Sequence, residues 1–199
     1  MNIRKATIND VDIIVKIHTD AFKDFFLTSL GPKFLTFYYS CFVKSDETVT
    51  MIAEEEGKVY GFSASTRSCK GFNSRLIKNN LSAFTIVSLK MLFTSPFALL
   101  RLAKNLTKKG DGINDEEDYA ELYSIGVSKL AQGKGVGKQL LAASEEALKQ
   151  KGVKRVSLTT DYEHNEQALG FYHSMGYDTL YEFVTFPNRK MYRLIKTLR

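Results

Sequence analysis

In the first half of the chain, stretches rich in β-branched and apolar residues predict strands, and stretches in which apolar residues recur every three or four positions predict helices. Residues 3–6 predict a short strand. Apolar residues from 11 to 22 recur every three or four positions, which is the period of an amphipathic helix. Pro32 suits the first turn of a second helix, whose aromatic stripe fits either the core or the wall of a substrate cleft. Residues 48–65 predict a β-hairpin.

The second half of the chain alternates strand and helix. Residues 119–128 and 153–160 predict two strands, and residues 135–151 predict the helix between them, so the two strands should be parallel with a right-handed crossover. A further helix is predicted from residue 165 to about 175, followed by an antiparallel strand pair over 177–198. The expected fold is therefore α/β, with a mixed, mostly antiparallel sheet, a parallel central strand pair and helices on both faces.

Residues 71–118 depart from this alternation and predict a helical insertion that is both apolar and basic. Residues 79–100 are apolar enough to suggest a membrane span. However, Lys90 would cost about 2.5–3.5 kcal/mol to insert, and Pro96 interrupts the helix. Two basic amphipathic helices fit better. Such helices cap the core, pair with a second copy in a homodimer or lie on a membrane face, and the sequence leaves these three alternatives open.

Composition places the chain among ordinary globular proteins. It has 199 residues, of which 44% are hydrophobic and 25% charged, and this predicts one domain over residues 1–199 that carries the insertion. Cys41 and Cys69 are too few for a disulfide framework or a metal-binding cluster. Because no secretory apolar segment follows Met1, the expected location is the cytoplasm, and the insertion adds the inner membrane face as an alternative.

The net charge of +6 is spread unevenly. No Asp or Glu occurs between residues 57 and 110, and an acidic cluster follows at 111–118. A basic surface attracts nucleic acid, an anionic membrane or a phosphate-bearing cofactor. Nucleic acid is not expected as a partner, because no recognised binding motif for it occurs. Peripheral membrane contact through residues 71–110 stays open.

A glycine-rich turn at residues 132–138 connects the predicted central strand to its helix. Gly133, Gly135 and Gly137 allow a close backbone approach to a ligand and positive φ angles. The N-terminus of the following helix adds unpaired N–H groups and a positive dipole end. The turn therefore predicts an anion-binding site, most simply for a pyrophosphate.

Two common phosphate-binding motifs do not match this turn. A P-loop has four residues between its glycines and a hydroxyl residue after its lysine, whereas Gly133 and Gly137 are one residue too close and Gln139 follows Lys138. A dinucleotide fingerprint has glycine at its sixth position, where this chain has Lys138.

The pattern that does match is Gln-x-x-Gly-x-Gly at 132–137, followed by a helix. Residues 165–177 read Asn-x-x-Ala-x-x-Phe-Tyr-x-x-x-Gly-Tyr, and residues 3–10 read Ile-Arg-x-Ala-Thr-x-x-Asp. Together these three stretches resemble the GCN5-related N-acetyltransferase (GNAT) family. The resemblance covers most of the chain outside residues 71–118.

The resemblance implies acetyl-CoA as co-substrate and no metal ion. It implies that the pantetheine arm pairs with Ile125 and Val127, where the central strand leaves its neighbour, and Gly126 suggests a β-bulge at that point. Asn165 and Tyr172 would also contact the cofactor. The pyrophosphate would be bound by the turn, which consists of Gln132, Gly133, Lys134, Gly135, Val136, Gly137 and Lys138.

The activity implied is transfer of an acetyl group from acetyl-CoA to a primary amine by direct attack. Tyr172 matches the family's general acid, which protonates the departing thiolate. Glu121 is the predicted base, because it lies four residues before Ile125 and strand alternation would put it on the same side as Tyr123 and Ile125. His164 and His173 are weaker candidates.

The acceptor amine is not specified by these motifs. The basic, apolar insertion favours a large, anionic or membrane-associated acceptor, such as a sugar nucleotide or a lipid-linked amino sugar, and a protein or peptide amine is a comparable alternative. Two other classes of function remain open. One is an acyl-CoA-binding module without catalysis, and the other is a basic membrane-surface protein.

Overall fold

The computed structural model describes residues 1–23, 25–82, 84–85, 89, 115–116, 118–185 and 188–199. Most of the predicted insertion lies outside these residues, so its two amphipathic helices stay a prediction. In the described ranges, no helix combines the length and the apolar character needed to cross a membrane.

Strands and helices occur in the order that the sequence predicts. The described strands are β1 (Asn2–Lys5), β2 (Thr48–Glu55), β3 (Lys58–Thr66), β4 (Ala120–Val127), β5 (Arg155–Asp161), β6 (Asp178–Thr185) and β7 (Arg189–Thr197). The described helices are α1 (Val11–Ala21), α2 (Phe26–Ser29), α3 (Pro32–Lys44), α4 (Phe72–Asn79), α5 (Val136–Gln150) and α6 (Glu166–Ser174). Short 3₁₀ turns precede α1 at Ile8–Asp10 and α5 at Lys129–Ala131.

The described strands form one mixed sheet in the order β1-β2-β3-β4-β5-β7-β6. The β4–β5 pair is parallel, and each of the other neighbouring pairs is antiparallel. Helix α5 supplies the crossover between β4 and β5, as parallel pairing requires. The predicted mixed sheet with a central parallel pair is confirmed.

Helices cover both faces of this sheet. Helices α1 and α3 pack on one face through residues such as Ile14, Leu35 and Phe42, which are fully buried beside Phe62 of β3. The aromatic stripe of α3 is therefore core. On the other face, α5 buries Leu141 and its neighbours against β4 and β5. We call these two sides of the sheet the α1/α3 face and the α5 face.

The parallel pairing between β4 and β5 stops after three residue pairs. Ala120 to Leu122 align with Val156 to Leu158. Beyond Leu122, β4 continues to Val127 without a described partner on its β5 side, while β5 continues to Asp161 in register with β7. The two strands therefore separate in the middle of the sheet, and this opening positions the site described below.

A β-bulge lies in β4 at Tyr123, three residues before the predicted place. Across the β3–β4 ladder, Ser65 pairs with Leu122 and Ala64 pairs with Ser124, so Tyr123 is the extra residue. The prediction of a bulge at Gly126 is wrong. Gly126 is in regular register with Phe62, and a Cβ there would lie 2.9 Å from the ring of Phe62, so glycine is required by close packing.

The bulge also changes which side chains share a face of β4. Tyr123 packs with the aromatic core on the α1/α3 face, and Glu121 interacts electrostatically with it and with Tyr38 of α3. Ile125 packs with the clusters on the α5 face. The prediction that Glu121 and Ile125 face the same side is therefore wrong, because one inserted residue reverses the alternation beyond it.

Candidate active site

A cavity of about 460 Å³ opens where β4 and β5 separate. Its walls come from the end of α1 and the segment that leads into α2, from β4 around the bulge, from the end of β5, and from α6. The residues that line the cavity include His18, Phe22, Phe25, Tyr123, Ser124, Ile125, Asp161, Asn165, Tyr172 and Arg189. Ile125, predicted from the central strand, and Asn165 and Tyr172, both predicted from residues 165–177, thus line one cavity.

The glycine-rich turn has the left-handed backbone that its sequence predicts. Gly133 has φ of +76° and Gly135 has φ of +74°, values that L side chains rarely adopt. Gly135 is the N-cap of α5, and a Cβ at either glycine would meet no atom within 4 Å. The glycines are therefore needed for the backbone conformation and not for internal packing.

The amides at the start of α5 are free to bind an anion. The first backbone bond of the helix runs from Gln139 N–H to Gly135 O, at 3.2 Å. In the described part of the chain, the N–H groups of Gly135, Val136, Gly137 and Lys138 donate to no acceptor. Four unpaired donors at a helix N-terminus form a phosphate-binding arrangement. Gln132, Lys134 and Lys138 are exposed beside them.

The turn lies close to both β4 and α6. A Cβ at Gly137 would lie 3.7 Å from the ring of Phe171 and 3.9 Å from Val127 Cγ2. Phe171 in turn contacts Tyr172, with ring centroids 5.1 Å apart. The predicted diphosphate turn, the pantetheine strand and the predicted acid are thus neighbours, although they come from three separate segments.

Tyr172 occupies a position suited to a neutral proton donor. Its ring packs edge-on against Tyr177, and its hydroxyl has no hydrogen-bond partner among the described residues. Removal from solvent raises the pKa of Tyr172 to about 12. The phenol therefore keeps its proton at neutral pH and faces a cavity in which a departing thiolate could lie.

Asn165 connects the end of β5 to the start of α6. It occupies the N-cap position of α6, but its side chain does not cap the helix. Its amide instead donates to Thr160 Oγ1 at 2.6 Å and to the backbone oxygen of Asp161 at 2.9 Å. These two hydrogen bonds hold the start of α6 against the end of β5, in the cavity wall opposite β4.

Glu121 is held away from the cavity in a buried ionic cluster. Its side chain is 10% exposed and pairs with Arg193 at 2.8 Å. It also accepts a hydrogen bond from the Cys69 thiol at 2.8 Å. Glu121 is not among the residues that line the cavity. Its role as the base is not tested by this arrangement and stays a prediction.

Sequence reasoning missed most of the wall opposite α6. Phe25 and Arg189 are 164 positions apart in the chain yet meet at the cavity, with the guanidinium 4.7 Å from the ring centroid, and Arg189 also pairs with Asp161. No local motif marks these contacts. His164 and His173 do not line the cavity; the His173 ring donates to the backbone oxygen of Tyr177 at 2.8 Å.

Two other features bear on where the site lies. A larger hollow of about 970 Å³ lies at the opposite end of β4 and β5, around Tyr119 and Lys151, and neither the glycine-rich turn nor Tyr172 contributes to it. Among the described residues, no group of three or more His, Cys, Asp or Glu side chains is arranged to hold a metal ion.

His18 of α1 is buried and uncharged beneath the cavity. It is 3% exposed, and burial lowers its pKa to about 4. In the unfolded chain the value is near 6.5, so between pH 6.5 and 4 the unfolded chain binds a proton that the folded protein does not. Stability attributable to this group is therefore complete above pH 6.5 and is lost as the pH falls toward 4.

We expect acidification from pH 6.5 to 4 to remove up to about 3 kcal/mol from the free energy of unfolding through His18. Urea unfolding at several pH values measures this slope. The matched variant His18→Asn, which does not titrate, should lose less stability over the same interval. Equal slopes for the two proteins would contradict the assignment.

Comparison with known proteins agrees with this geometry. Residues 12–177 match the model of the Acetyltransferase (GNAT) family. Over 73 residues the chain is 36% identical to mycothiol acetyltransferase of Renibacterium salmoninarum, a match that covers 34% of this chain and 21% of that protein. The chain thus spans about a fifth of that relative's length.

Solved structures show the same fold at low sequence identity. The ribosomal-protein-S18-alanine N-acetyltransferase of Escherichia coli aligns with a TM-score of 0.61 at 14% identity, covering 99% of this chain and 93% of that one. The PaiA N-acetyltransferase of Thermoplasma acidophilum, solved in complex with coenzyme A, aligns with a TM-score of 0.58 at 14% identity, covering 98% of each chain. The family match over residues 12–177, together with this fold, shows that the chain belongs to the GNAT family of acetyltransferases.

Proposed function

We propose that this N-acetyltransferase transfers the acetyl group of acetyl-CoA to a primary amine that enters the cavity between β4 and β5. Two classes of acceptor are compatible with the family: a peptide or protein N-terminus, and a small amine such as an amino sugar. The observation that carries the proposal is that the unpaired side of β4 and the Tyr172 side chain meet at one opening, while the turn with its unpaired amides lies beside β4 and α6, where Gly137 is next to Val127 and Phe171.

The cofactor would bind along the two segments whose backbone N–H and C=O groups lack partners among the described residues, the glycine-rich turn and the end of β4. The amides of residues 135–138 would bind the pyrophosphate, with Lys138 adding charge. The amide-bearing pantetheine arm would pair with β4 at Ile125 and Val127, where no described strand competes. A β4 N–H near Ile125 or Val127 would polarise the thioester carbonyl, and donors of this kind contribute about 10²–10³ in rate.

The chemical step needs no covalent enzyme intermediate. The amine nitrogen attacks the thioester carbonyl, a C–N bond forms, and collapse of the adduct breaks the C–S bond. The departing thiolate takes the proton of Tyr172, and the proton of the ammonium passes to a base. The products are an amide and free CoA, and the tyrosine recovers its proton from solvent.

Glu121 remains our candidate for that base, and its burial limits how it could act. Since its carboxylate is ion-paired with Arg193 outside the cavity wall, it would accept the proton through intervening groups. Glu121→Gln leaves Arg193 uncompensated and should cost about 3 kcal/mol of stability whatever its catalytic role. A catalytic role predicts that kcat also falls.

Glu145→Gln is the matched control for this measurement. Glu145 is a buried carboxylate that pairs with Lys196 and accepts a hydrogen bond from Tyr177, away from the cavity. Both variants should be less stable by chemical denaturation. If kcat is unchanged in both under conditions where they are folded, Glu121 is not the base.

The walls of the cavity suit the amine-bearing end of an acceptor. Phe22, Phe25 and Tyr123 offer apolar surface, and the Asp161–Arg189 pair adds charge at one side. One relative named above is a mycothiol acetyltransferase, and one solved structure is a ribosomal-protein-S18-alanine N-acetyltransferase. These two names guide the choice of test amines. We favour a peptide N-terminus because an aromatic wall beside an ion pair accommodates a short apolar residue and its backbone.

The deciding experiment is an amine screen with the full-length protein. A hexapeptide with N-terminal alanine, glucosamine and benzylamine are each incubated with acetyl-CoA, and free CoA is followed with a thiol reagent. Amine-dependent CoA release above the protein-free rate supports the proposal. Acetyl-CoA binding without release for any amine would favour the alternative, an acyl-CoA-binding module without catalysis.

A membrane-surface role for residues 71–110 is a separate proposal. The absence of acidic residues between 57 and 110 supports it, because a basic amphipathic segment is attracted to anionic lipid. Co-sedimentation with anionic liposomes should be lost when residues 71–110 are deleted. Co-sedimentation that survives the deletion would oppose this role.

The predicted homodimer is a separate question. Sedimentation velocity of the protein without liposomes gives its mass in solution and so distinguishes a monomer from a dimer.

A further inference from the structure

The guanidinium of Arg189 is held at the wall of the cavity by contacts with two other residues. Its Nε and Nη2 groups donate to the two carboxylate oxygens of Asp161, which makes the ion pair bidentate. The guanidinium carbon also lies 4.7 Å from the centroid of the Phe25 ring, within the range of a cation–π contact. All three residues line the cavity. The guanidinium is therefore fixed in place before a ligand binds.

The register of β5 against β7 explains why Asp161 and Arg189 meet. Asp161 pairs directly with Met191, so Arg189, two residues earlier on the same face of β7, is its diagonal neighbour. The pair lies at the end of β5 from which β4 has separated. Phe25 directly precedes α2, and its ring packs edge-on against Phe22 with centroids 5.2 Å apart. Three separate segments thus position one side chain.

Arg189 keeps hydrogen-bond donors that the described structure does not use. A guanidinium carries five N–H groups, and the carboxylate of Asp161 accepts from two of them. The remaining three have no acceptor within the described ranges. The Arg189 side chain is 30% exposed at the cavity wall, so these donors are available to a molecule that enters the cavity.

The charge balance of this pair decides which ligand groups it favours. Among the described residues that line the cavity, only Asp161 and Arg189 carry charged side chains, and the two compensate each other. A carboxylate on the ligand would bring a second negative charge to a cation that is already paired. A neutral carbonyl oxygen accepts from the guanidinium without this repulsion. The arrangement therefore favours an amide carbonyl over a carboxylate.

We propose that Arg189 determines acceptor specificity by donating to a neutral carbonyl oxygen beside the attacking amine, and that Asp161 disfavours carboxylates at the same place. The inference rests on the proposed function, since it requires an amine in the cavity. A peptide N-terminus offers such an oxygen in its first peptide group, whereas glucosamine and benzylamine offer no amide carbonyl. Tyr172 and Arg189 line one cavity of about 460 Å³, so an aminoacyl group can contact both.

The first test compares Arg189→Met with Arg155→Met. Arg155 and its partner Asp118 form a second Arg–Asp pair at the other end of β5, away from the cavity. With the hexapeptide that has N-terminal alanine, Arg189→Met should lower kcat/KM about tenfold, the loss expected for a hydrogen bond from a charged group. Arg155→Met should leave kcat/KM unchanged. The Kd for acetyl-CoA should be unchanged in both variants, which shows that both are folded.

Three small amines that share one methyl branch test for the carbonyl directly. Alaninamide has a neutral carbonyl, L-alanine has a carboxylate and 2-aminobutane has neither, and kcat/KM is expressed per concentration of unprotonated amine. Wild type should prefer alaninamide to 2-aminobutane about tenfold, and Arg189→Met should abolish this preference. Arg189→Lys keeps a donor without the planar fork and should retain part of it. A residue that serves only packing would change both rates equally and leave their ratio unaltered.

Asp161→Asn tests the discrimination against carboxylates as a gain of activity. Asparagine keeps an oxygen that can accept from Arg189 but removes the negative charge. The ratio of kcat/KM for L-alanine to kcat/KM for alaninamide should therefore rise about tenfold. Asp118→Asn, the same change in the second Arg–Asp pair, should leave this ratio at its wild-type value. A loss of stability lowers activity with both amines and does not raise this ratio.

The outcomes distinguish this inference from the proposed function. If the wild-type protein releases CoA with none of the amines, the proposed function fails and the inference fails with it. If wild type is active but 2-aminobutane is as good a substrate as alaninamide, or Arg189→Met keeps the preference, the inference alone is wrong. Activity with glucosamine or benzylamine but with neither the hexapeptide nor alaninamide would also overturn it. An unchanged ratio in Asp161→Asn would remove Asp161 from the discrimination.

Discussion

Tyr172→Phe is expected to lower kcat by about 10²–10⁴-fold while leaving the affinity for acetyl-CoA nearly unchanged. The substitution removes one oxygen and keeps the ring that packs against Phe171 and Tyr177. Steady-state CoA release gives kcat, and calorimetric titration of the cofactor gives Kd. Both measurements use the amine identified in the screen.

The physical reason lies in the leaving group. A thiol has a pKa near 8.5, so the thiolate leaves as a poorly stabilised anion, and its expulsion is costly unless a proton reaches it. The phenol of Tyr172 has its pKa raised to about 12, so it is fully protonated when the reaction starts. The thiolate is a weaker base than the phenolate, so the proton passes to it only when the two are in hydrogen-bond contact as the C–S bond breaks, and the phenolate of Tyr172 regains its proton from solvent.

The raised pKa of Tyr172 also fixes the shape of the pH profile. The required form is the protonated one, and it persists until the pH approaches 12. Activity should therefore rise with pH as the amine loses its proton, without a decline from Tyr172 below about pH 10. Tyr162→Phe, which changes a tyrosine stacked on Tyr192 outside the cavity wall, is the control and should keep wild-type kcat. Equal kcat in Tyr172→Phe and Tyr162→Phe would remove Tyr172 from the mechanism.

Gly135→Ala is expected to weaken acetyl-CoA binding by tenfold or more. Gly135 has φ of +74° at the N-cap of α5, and a methyl group there costs roughly 1–2 kcal/mol in backbone energy. The chain can relieve that strain by rotating the peptide, which turns amides of the turn away from the pyrophosphate. Calorimetry with acetyl-CoA measures the loss.

Gly152→Ala at the other end of the same helix is a closely matched control. Gly152 has φ of +81°, and a Cβ there also meets no atom within 4 Å. Both variants should lose similar stability in urea, since the strain is the same. Only Gly135→Ala should lose cofactor affinity, and an equal loss in Gly152→Ala would mean that general destabilisation, not the turn, controls binding.

The parts of the site that sequence could predict are those carried by local patterns. The turn around Gly135 follows from glycine spacing between a strand and a helix, and its backbone angles agree. Tyr172 was found from a contiguous stretch and lies at the cavity. In each case the information needed sits within a few residues.

The parts that sequence could not predict depend on partners distant in the chain. Glu121 pairs with Arg193, 72 positions away, so its burial in an ionic cluster was not readable from β4 alone. The bulge at Tyr123 arises from the register of β3 against β4. Gly126 was visible but was assigned to a bulge, because its close contact with the Phe62 ring has no local signature.

The short parallel ladder between β4 and β5 has a mechanical consequence. Three residue pairs join a half-sheet of β1 to β4 to a half-sheet of β5 to β7, with α5 spanning the junction. A ligand bound in the opening would contact both half-sheets and supply hydrogen bonds to β4 that β5 does not supply there. Acetyl-CoA would then stabilise the fold by connecting the two half-sheets. At a concentration one hundred times its Kd, it would add about 2.7 kcal/mol to the free energy of unfolding.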